Sequence, residues 1–381
     1  MRAVTVHAGK LQVEEVSDLV PGPGQVLLDV SRCGICGSDL HARTHADVTA
    51  DAAAEVGYPH LMRSTHRVVM GHEFVGTIAE YGPRTRGRWP VGQLVAAMPM
   101  LTTAEGAHLT GLTELAPGGY AEQVLVDEVL TFPVPDGVDP ELAATTEPLA
   151  VALHAVNRGQ VGRNDTAVVI GCGPIGLAVI LMLKATGVKH VIASDFSAGR
   201  RALAERCGAD VVVDPATGSP WAGFADSKYL TEAADLFDVL AKTMKPLRRL
   251  PVIPWNKVME VGQKLGAAPK GPVVFECVGV PGVIEEIVTH APLLTRVVVV
   301  GVCMEPDTFR PTIAINKELD LRFVFAYDPA EFFRTLQMIS DGTVDPSPLV
   351  TGTVGLDGVA DAFDQLGDPE QHAKILIDPR R

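Results

Sequence analysis

Cysteine is scarce. Six residues in 381 are too few for the disulfide framework of a small secreted domain, and they point to a reducing setting. Basic charge is in deficit, with 32 Lys and Arg against 46 Asp and Glu and a formal net charge of −14. Such a surface repels nucleic-acid phosphates and anionic membranes, so neither is an expected partner. The opening residues, MRAVTVHAGKLQVEE, lack the apolar core of a secretory signal, and a cytoplasmic location is expected. Long apolar runs are missing too, with one imitation: Thr166 to Leu183, TAVVIGCGPIGLAVILML, is uncharged and long enough to suggest a bilayer span. Gly171, Gly173 and Pro174 cut it into a short strand and a helix, so a buried βα unit is the reading. No internal repeat or low-complexity tract is visible.

What is present suits a compact enzyme rich in turns: 47% hydrophobic residues, 20% charged, 37 Gly and 28 Pro. The length exceeds the roughly 250–300 residues at which one core stops growing, so two domains are expected. Short extended runs fill the first part, at Met1 to His7, Gln25 to Ser31, Phe74 to Tyr81, Gln93 to Pro99 and Ala121 to Val126, which reads as a β-rich domain. From Thr166 strands alternate with helices: Thr166 to Ile170, Ile175 to Thr186, His190 to Ser194, Ala198 to Arg206, Val211 to Val213. That rhythm is α/β, a doubly wound parallel sheet covered by helices. The gap from Pro215 to the next strand, Pro272 to Cys277, is longer than one crossover needs, so Thr217 to Lys270 is read as carrying an insertion. In it Tyr229, Ala233, Leu236, Leu240 and Met244 recur at helical spacing, and LRRLPVIPW stops the helix. Further strands are expected at Arg296 to Val302 and Leu319 to Tyr327. A helix at Pro329 to Ser340 and a strand at Lys374 to Ile377 then return to the first domain.

Gly171-Cys-Gly-Pro-Ile-Gly176 follows a strand and opens a helix, and Asp195 ends the next strand. In that context the glycines allow backbone N–H groups to approach a pyrophosphate at a helix N-terminus, and Asp195 accepts from the adenosine ribose hydroxyls. A carboxylate there opposes a 2′-phosphate, so NAD is favoured over NADP, although Arg200 and Arg201 could reach a phosphate. The cofactor-binding candidates are Gly171, Gly173, Ile175, Gly176, Asp195 and Arg200, with Val302 at the end of a later strand.

Cys33-Gly-Ile-Cys-Gly-Ser-Asp-Leu-His41 reads as a Gly-rich turn, and Gly71-His72-Glu73 precedes a strand. Thiolate, imidazole and carboxylate are the ligands zinc prefers; CxxC alone is equally a redox pair. With GICGSDLH, GHE, GGYAE (118–122), EPLAVALHAV (147–156) and GCGPIG in this order, the chain resembles a zinc-dependent alcohol dehydrogenase of the medium-chain dehydrogenase/reductase family, and EPLAVALHAV is similar to its butanediol and polyol branch. The resemblance implies a β-rich GroES-like catalytic domain over 1–154 and 328–381 and a Rossmann NAD-binding domain over 155–327. It implies Cys36 and His72 as zinc ligands, Glu73 as a close or exchanging one, and Glu147 where other branches hold a third cysteine, in contact directly or through water. Cys33 is left to pack the turn. Most zinc members also hold a structural zinc on four cysteines after the strand that here reads GQLVAAM. MPMLTTAEGAHLTGLTELAPGG has none, so one zinc per chain is expected. Cys172, Cys207, Cys277 and Cys303 read as small buried hydrophobes.

A zinc with an open position lowers an alcohol's pKa so that hydride can leave for nicotinamide. Ser38, two residues after Cys36, is placed to bond the substrate oxygen, and the resemblance adds His41 as the end of a relay to solvent. The catalytic candidates are Ser38, His41 and Glu73. Ala42 to Val69 and Met98 to Leu115 are expected to frame the pocket. In the second, Met98, Met100, Leu101, Leu109 and Leu112 favour a bulky secondary alcohol over a polyol, unless they simply pack the loop. The first reading is NAD-dependent oxidation of a secondary alcohol or diol to the ketone by a homo-oligomer, dimer or tetramer. Carbonyl reduction by NADPH and a non-catalytic nucleotide or redox sensor are the alternatives.

Overall fold

A computed structural model of the chain describes residues 1–249, 254–264 and 268–381, apart from the side chain of Gln263. Strand β1 (Arg2–His7) turns through Ala8 and Gly9, both at positive φ, into β2 (Lys10–Glu15); two left-handed residues give the twist a two-residue hairpin needs. Strand β3 (Gln25–Gly34) is buried along most of its length. Helix α1 (Gly37–Glu55) follows at once, which corrects the reading of Cys33 to His41 as one turn: the turn ends at Cys36. Ala42, Ala46 and Ala50 recur every fourth residue and are buried, a narrow stripe of small side chains too weakly apolar to stand out in the sequence.

Strands β4 (Val68–Val69), β5 (Glu73–Tyr81) and β6 (Leu94–Ala97) come next, then the hairpin β7 (Met100–Thr103) and β8 (Gly106–Leu109), β9 (Gln123–Asp127) and β10 (Thr131–Pro133). Strand β4 joins the β1–β2 hairpin. Helices α2 (Pro140–Ala143) and α3 (Thr146–Gly159) lead to the second sheet.

That sheet is parallel throughout: β11 (Thr166–Ile170), β12 (His190–Ser194), β13 (Val211–Val213), β14 (Val273–Glu276), β15 (Arg296–Val299) and β16 (Asp320–Phe323), in the order β13-β12-β11-β14-β15-β16. The reversal of direction at β11 is the doubly wound topology, whose ligands bind at the carboxyl ends of the strands. Helices α4 (Pro174–Ala185), α5 (Ala198–Arg206), α6 (Ala233–Leu247), α7 (Trp255–Lys264), α8 (Val283–His290) and α9 (Pro311–Asn316) are interleaved. Helix α4 buries Gly176 through Leu183 continuously, which is why β11 and α4 together imitate a membrane span. No helix among the described residues is long and apolar enough to cross one.

After α10 (Pro329–Ser340), the chain runs through β17 (Val350–Val354), α11 (Val359–Leu366) and β18 (Lys374–Ile377). Strand β18 pairs with β3 and β17, closing the sheet β10-β6-β5-β3-β18-β17, to which β9 adds on β3.

The stretch after Asp214 departs from expectation. Tyr229 lies before α6, not in it, and packs with Phe224 against Val168, Val274 and Val297 of the parallel sheet. Its hydroxyl accepts from the Thr166 N–H at 2.7 Å, at the amino end of β11. The segment therefore runs back across the sheet face, because a crossover from β13 to β14 must cover the apolar face between them. Among the described residues nothing covers the stripe of α6: the helix has no buried residue, and Phe237 and Leu240 are exposed. Pro246 lies inside its last turn. Of the expected stop LRRLPVIPW, Leu250, Pro251, Val252 and Ile253 lie outside the described residues.

Candidate active site

Cys36 is the N-cap of α1, and Asp39 at the third helical position returns its carboxylate to the Cys36 N–H at 3.0 Å. This capping exchange fixes the start of the helix and aims its positive end at the Cys36 sulfur. His72 enters from the turn before β5. Gly71 there has φ +100, and a Cβ would meet the Tyr120 ring at 2.4 Å, so only glycine lets the backbone pass that close.

The ligand atoms of Cys36, His72 and Glu73 all lie within 4.8 Å of one another. His72 Nδ1 and Asp39 Oδ1, each otherwise without a partner, face one another at 3.3 Å. That contact holds the proton on Nδ1 and leaves Nε2 for a metal. Asp39 Oδ2 accepts a 2.5 Å bond from the Tyr120 hydroxyl. Burial would push the Asp39 carboxyl up, but the pull of His72, together with hydrogen bonds from His72, the Tyr120 hydroxyl and the Cys36 N–H, holds the group below the usual range. The Ser38 hydroxyl lies 3.3 Å from His72 Nε2. A thiol, a free imidazole nitrogen and a carboxylate converging in this way fit zinc.

Glu147, in the first turn of α3, is outside that triplet. Burial pushes its carboxyl up to about 7; the His72 charge pulls it down, Glu73 adds to the rise, and the Tyr327 hydroxyl offsets part of it. His41 is exposed, with its ring centroid 6.3 Å from that of His45. Cys33 is wholly buried behind the site.

At the glycine turn, Gly171 has φ +90, and a Cβ on Gly176 would fall 1.9 Å from the Gly171 carbonyl oxygen. Gly173 differs: only the Arg200 guanidinium comes within 4.0 Å of its Cβ position, which leaves the turn open to a phosphate at the start of α4, beside Ile175. Asp195 Oδ2 accepts from the Cys172 N–H at 2.7 Å and Oδ1 from the Ser197 N–H at 2.8 Å. Arg201 is spent on the Asp195 and Phe196 carbonyls and on Asp214, whereas Arg200 Nε is buried without a partner. Val302 is exposed in the loop beyond β15, not in a strand, and its carbonyl lies against Gly279 at the same carboxyl end of the sheet.

Two expectations fail here. Met98 and Leu101 are buried in separate core clusters and Leu112 packs against a third, so these residues fill the loop and give no support for a bulky substrate. Cys303 is half-exposed, with its thiol toward the Glu305 carbonyl, because it lies in the loop past β15. Sequence reasoning also passed over Asp39, Tyr120, Tyr327 and Lys374. Asp39 and Tyr120 stood inside quoted motifs; Lys374 was legible only as the one charge in an apolar strand.

Residues 22–136 match the family model described as alcohol dehydrogenase GroES-like domain, and residues 174–246 match zinc-binding dehydrogenase. The chain is 31% identical to (R,R)-butanediol dehydrogenase of Bacillus subtilis, over the full length of both proteins. The crystal structure of 2R,3R-butanediol dehydrogenase from Bacillus subtilis superposes with a TM-score of 0.75 at 29% identity, covering 99% of each chain. A Sinorhizobium meliloti protein solved with NADP gives 0.75 at 26% over the same share of each chain.

Proposed function

The chain belongs to the zinc-type alcohol dehydrogenases of the medium-chain dehydrogenase/reductase family, in their butanediol and polyol branch, and from that premise we propose which residues do the work. As a member it transfers hydride between an alcohol or diol and a nicotinamide cofactor, giving the ketone. Zinc, when bound, lowers the pKa of the substrate hydroxyl and readies its carbon to release hydride.

The observation that carries the assignment is the convergence of Cys36, His72 and Glu73 beside the Ser38 hydroxyl. Cys36 and His72 hold zinc, Glu73 is a close or exchanging ligand, and Glu147 acts at the site's edge. Ser38 accepts the substrate proton, and His41, three residues on and so on the same helical face, passes it to solvent. The substrate is a secondary alcohol or diol. Residues 1–154 with 328–381 form the catalytic unit and 155–327 the cofactor unit, a division supported by the pairing of β18 with β3.

NAD is the preferred cofactor. Gly171, Gly173, Ile175 and Gly176 cradle its pyrophosphate, Val302 flanks it, and Asp195 takes the ribose hydroxyls, where a 2′-phosphate would meet like charge. Use of NADP is the second reading, favoured by the unpartnered Nε of Arg200 next to the turn. Elemental analysis and a panel of alcohols with both cofactors test these assignments together. One zinc per chain and faster turnover with NAD are expected. Two zincs, or none, would overturn the metal assignment, and a preference for NADP the cofactor one.

A further inference from the structure

The helix that follows Asp195 is met at its N-terminus by a loop from outside the parallel sheet. Ser197 is the N-cap of α5: its hydroxyl accepts from the Arg200 N–H at 3.0 Å and donates to the Pro369 carbonyl at 3.1 Å. The Gly199 N–H, in the same first turn, goes to Glu370 Oε2 at 2.9 Å. Pro369 and Glu370 lie between α11 and β18, and β18 pairs with β3 in the other sheet. The approach is close. A Cβ on Gly199 would fall 2.2 Å from the Glu370 carbonyl oxygen, so glycine is what lets the loop sit on the helix.

The Gly199 N–H, with Ser197 beside it, holds the Glu370 carboxyl below the usual carboxylate range, so the group is an anion at neutral pH. Asp195 Oδ1 accepts from the Ser197 N–H at 2.8 Å. Two carboxylates therefore take N–H groups two residues apart at one helix start. A phosphate on the ribose that Asp195 takes would need, at this start, unoccupied N–H donors, the positive end of the helix and a cation. Glu370 occupies a donor and offsets the helix charge. Arg201 is held by the Asp195 and Phe196 carbonyls and by Asp214, while Arg200 keeps a buried Nε without a partner.

Resting on the NAD assignment above, we propose that Glu370 is a specificity-determining residue: reaching over from the loop before β18, it fills the anion cradle at the start of α5 and keeps the 2′-phosphate of NADP out. Asp195 opposes that phosphate with one charge. Glu370 adds a second and removes a hydrogen-bond donor as well. A loop that merely straps one part of the chain to another would affect both cofactors alike, whereas an occupied cradle discriminates between them.

The test compares kcat/KM for NADP and NAD in the whole enzyme, with calorimetric binding of 2′,5′-ADP and 5′-AMP as a readout that needs no turnover. Glu370→Gln keeps an oxygen for the Gly199 N–H but carries no charge. It should raise the NADP-to-NAD ratio by about tenfold, the size of one like-charge contact near a protein surface, and tighten 2′,5′-ADP relative to 5′-AMP by the same factor. Glu370→Ala also frees the donor and should go further. Added to Asp195→Ala, Glu370→Gln should raise the ratio again. A ratio that rises in neither Glu370 variant, both cofactors weakening alike included, would overturn the proposal and leave the loop a strap. Wild type that prefers NADP would instead overturn the NAD assignment, and the direction of change in the variants would still decide on Glu370.

Discussion

A histidine serves a metal only if one ring nitrogen is free and the ring cannot turn, and at His72 both conditions come from Asp39, itself held by Tyr120 and the Cys36 N–H. The same reasoning about who holds whom separates the other polar candidates. His41 is exposed as a residue, but partial desolvation of its ring, with the nearby charge of His45, lowers its pKa, so the ring stays neutral and able to accept a proton to lower pH than an ordinary histidine. His41→Ala should therefore cut turnover above that lowered pKa by about tenfold, less than the ~10²–10⁴-fold of a direct acid or base because Ser38 and solvent remain. The two pH profiles should converge in acid, where wild-type His41 is protonated too, and added imidazole should restore part of the rate; superimposable profiles would make His41 a bystander. At the other site, Asp195→Ala removes the charge opposed to a 2′-phosphate while Arg200 stays available. NADP use should rise relative to NAD, measured as the ratio of the two kcat/KM values, and an unchanged ratio would sink the charge argument.

Most elements were legible because their residues alternate or recur within a single window. The strands at 166–170, 190–194, 211–213 and 374–377 and the helices at 198–206 and 329–340 stand where the pattern placed them. Helix α1 escaped notice because its stripe is alanine, and the β7–β8 hairpin because MLTT and GAHL, unlike VVV and KILI, hold too few apolar residues to make a run. The segment after β13 was misjudged for a different reason: Tyr229 matched a helical spacing with Ala233 and Leu236, while its real partners lie on β11, β14 and β15. That packing makes it part of the sheet's cover. Tyr229→Ala removes a buried ring and leaves the Thr166 N–H without its acceptor, so it should destabilise the protein by about 3 kcal/mol, the lower end for truncating a large buried aromatic side chain. Denaturant unfolding checks this; a loss under about 1 kcal/mol, typical of a surface change, would mean the segment is only an appendage.

For the whole molecule, the parallel sheet ends at β16, which among the described residues pairs only with β15. Phe323 is 66% and Phe325 86% exposed along and just past that edge. An open strand edge flanked by bare aromatics is a template for pairing with another chain. A homo-oligomer, if the chain forms one, is expected to pair along this edge, with a second copy adding its own β16. Phe325→Asp should shift sedimentation toward the monomer while each chain keeps its fold by circular dichroism; an unchanged mass would move the interface elsewhere.

What the amino-acid sequence determined by itself was everything carried by neighbours in the chain: the glycine turn with its acid, the Cys36 and His72–Glu73 motifs, and the strand-helix alternation. Tertiary structure alone decided which distant side chains serve those motifs. Register between β3 and β18 delivers Lys374 to Glu73, Tyr120 reaches Asp39 across Gly71, and core packing removes Met98 and Leu101 from any claim on substrate. The physical reason is range. Periodicity and turn chemistry act over a few residues, whereas an ion pair or a core contact between remote segments exists only once strand order and register have been set.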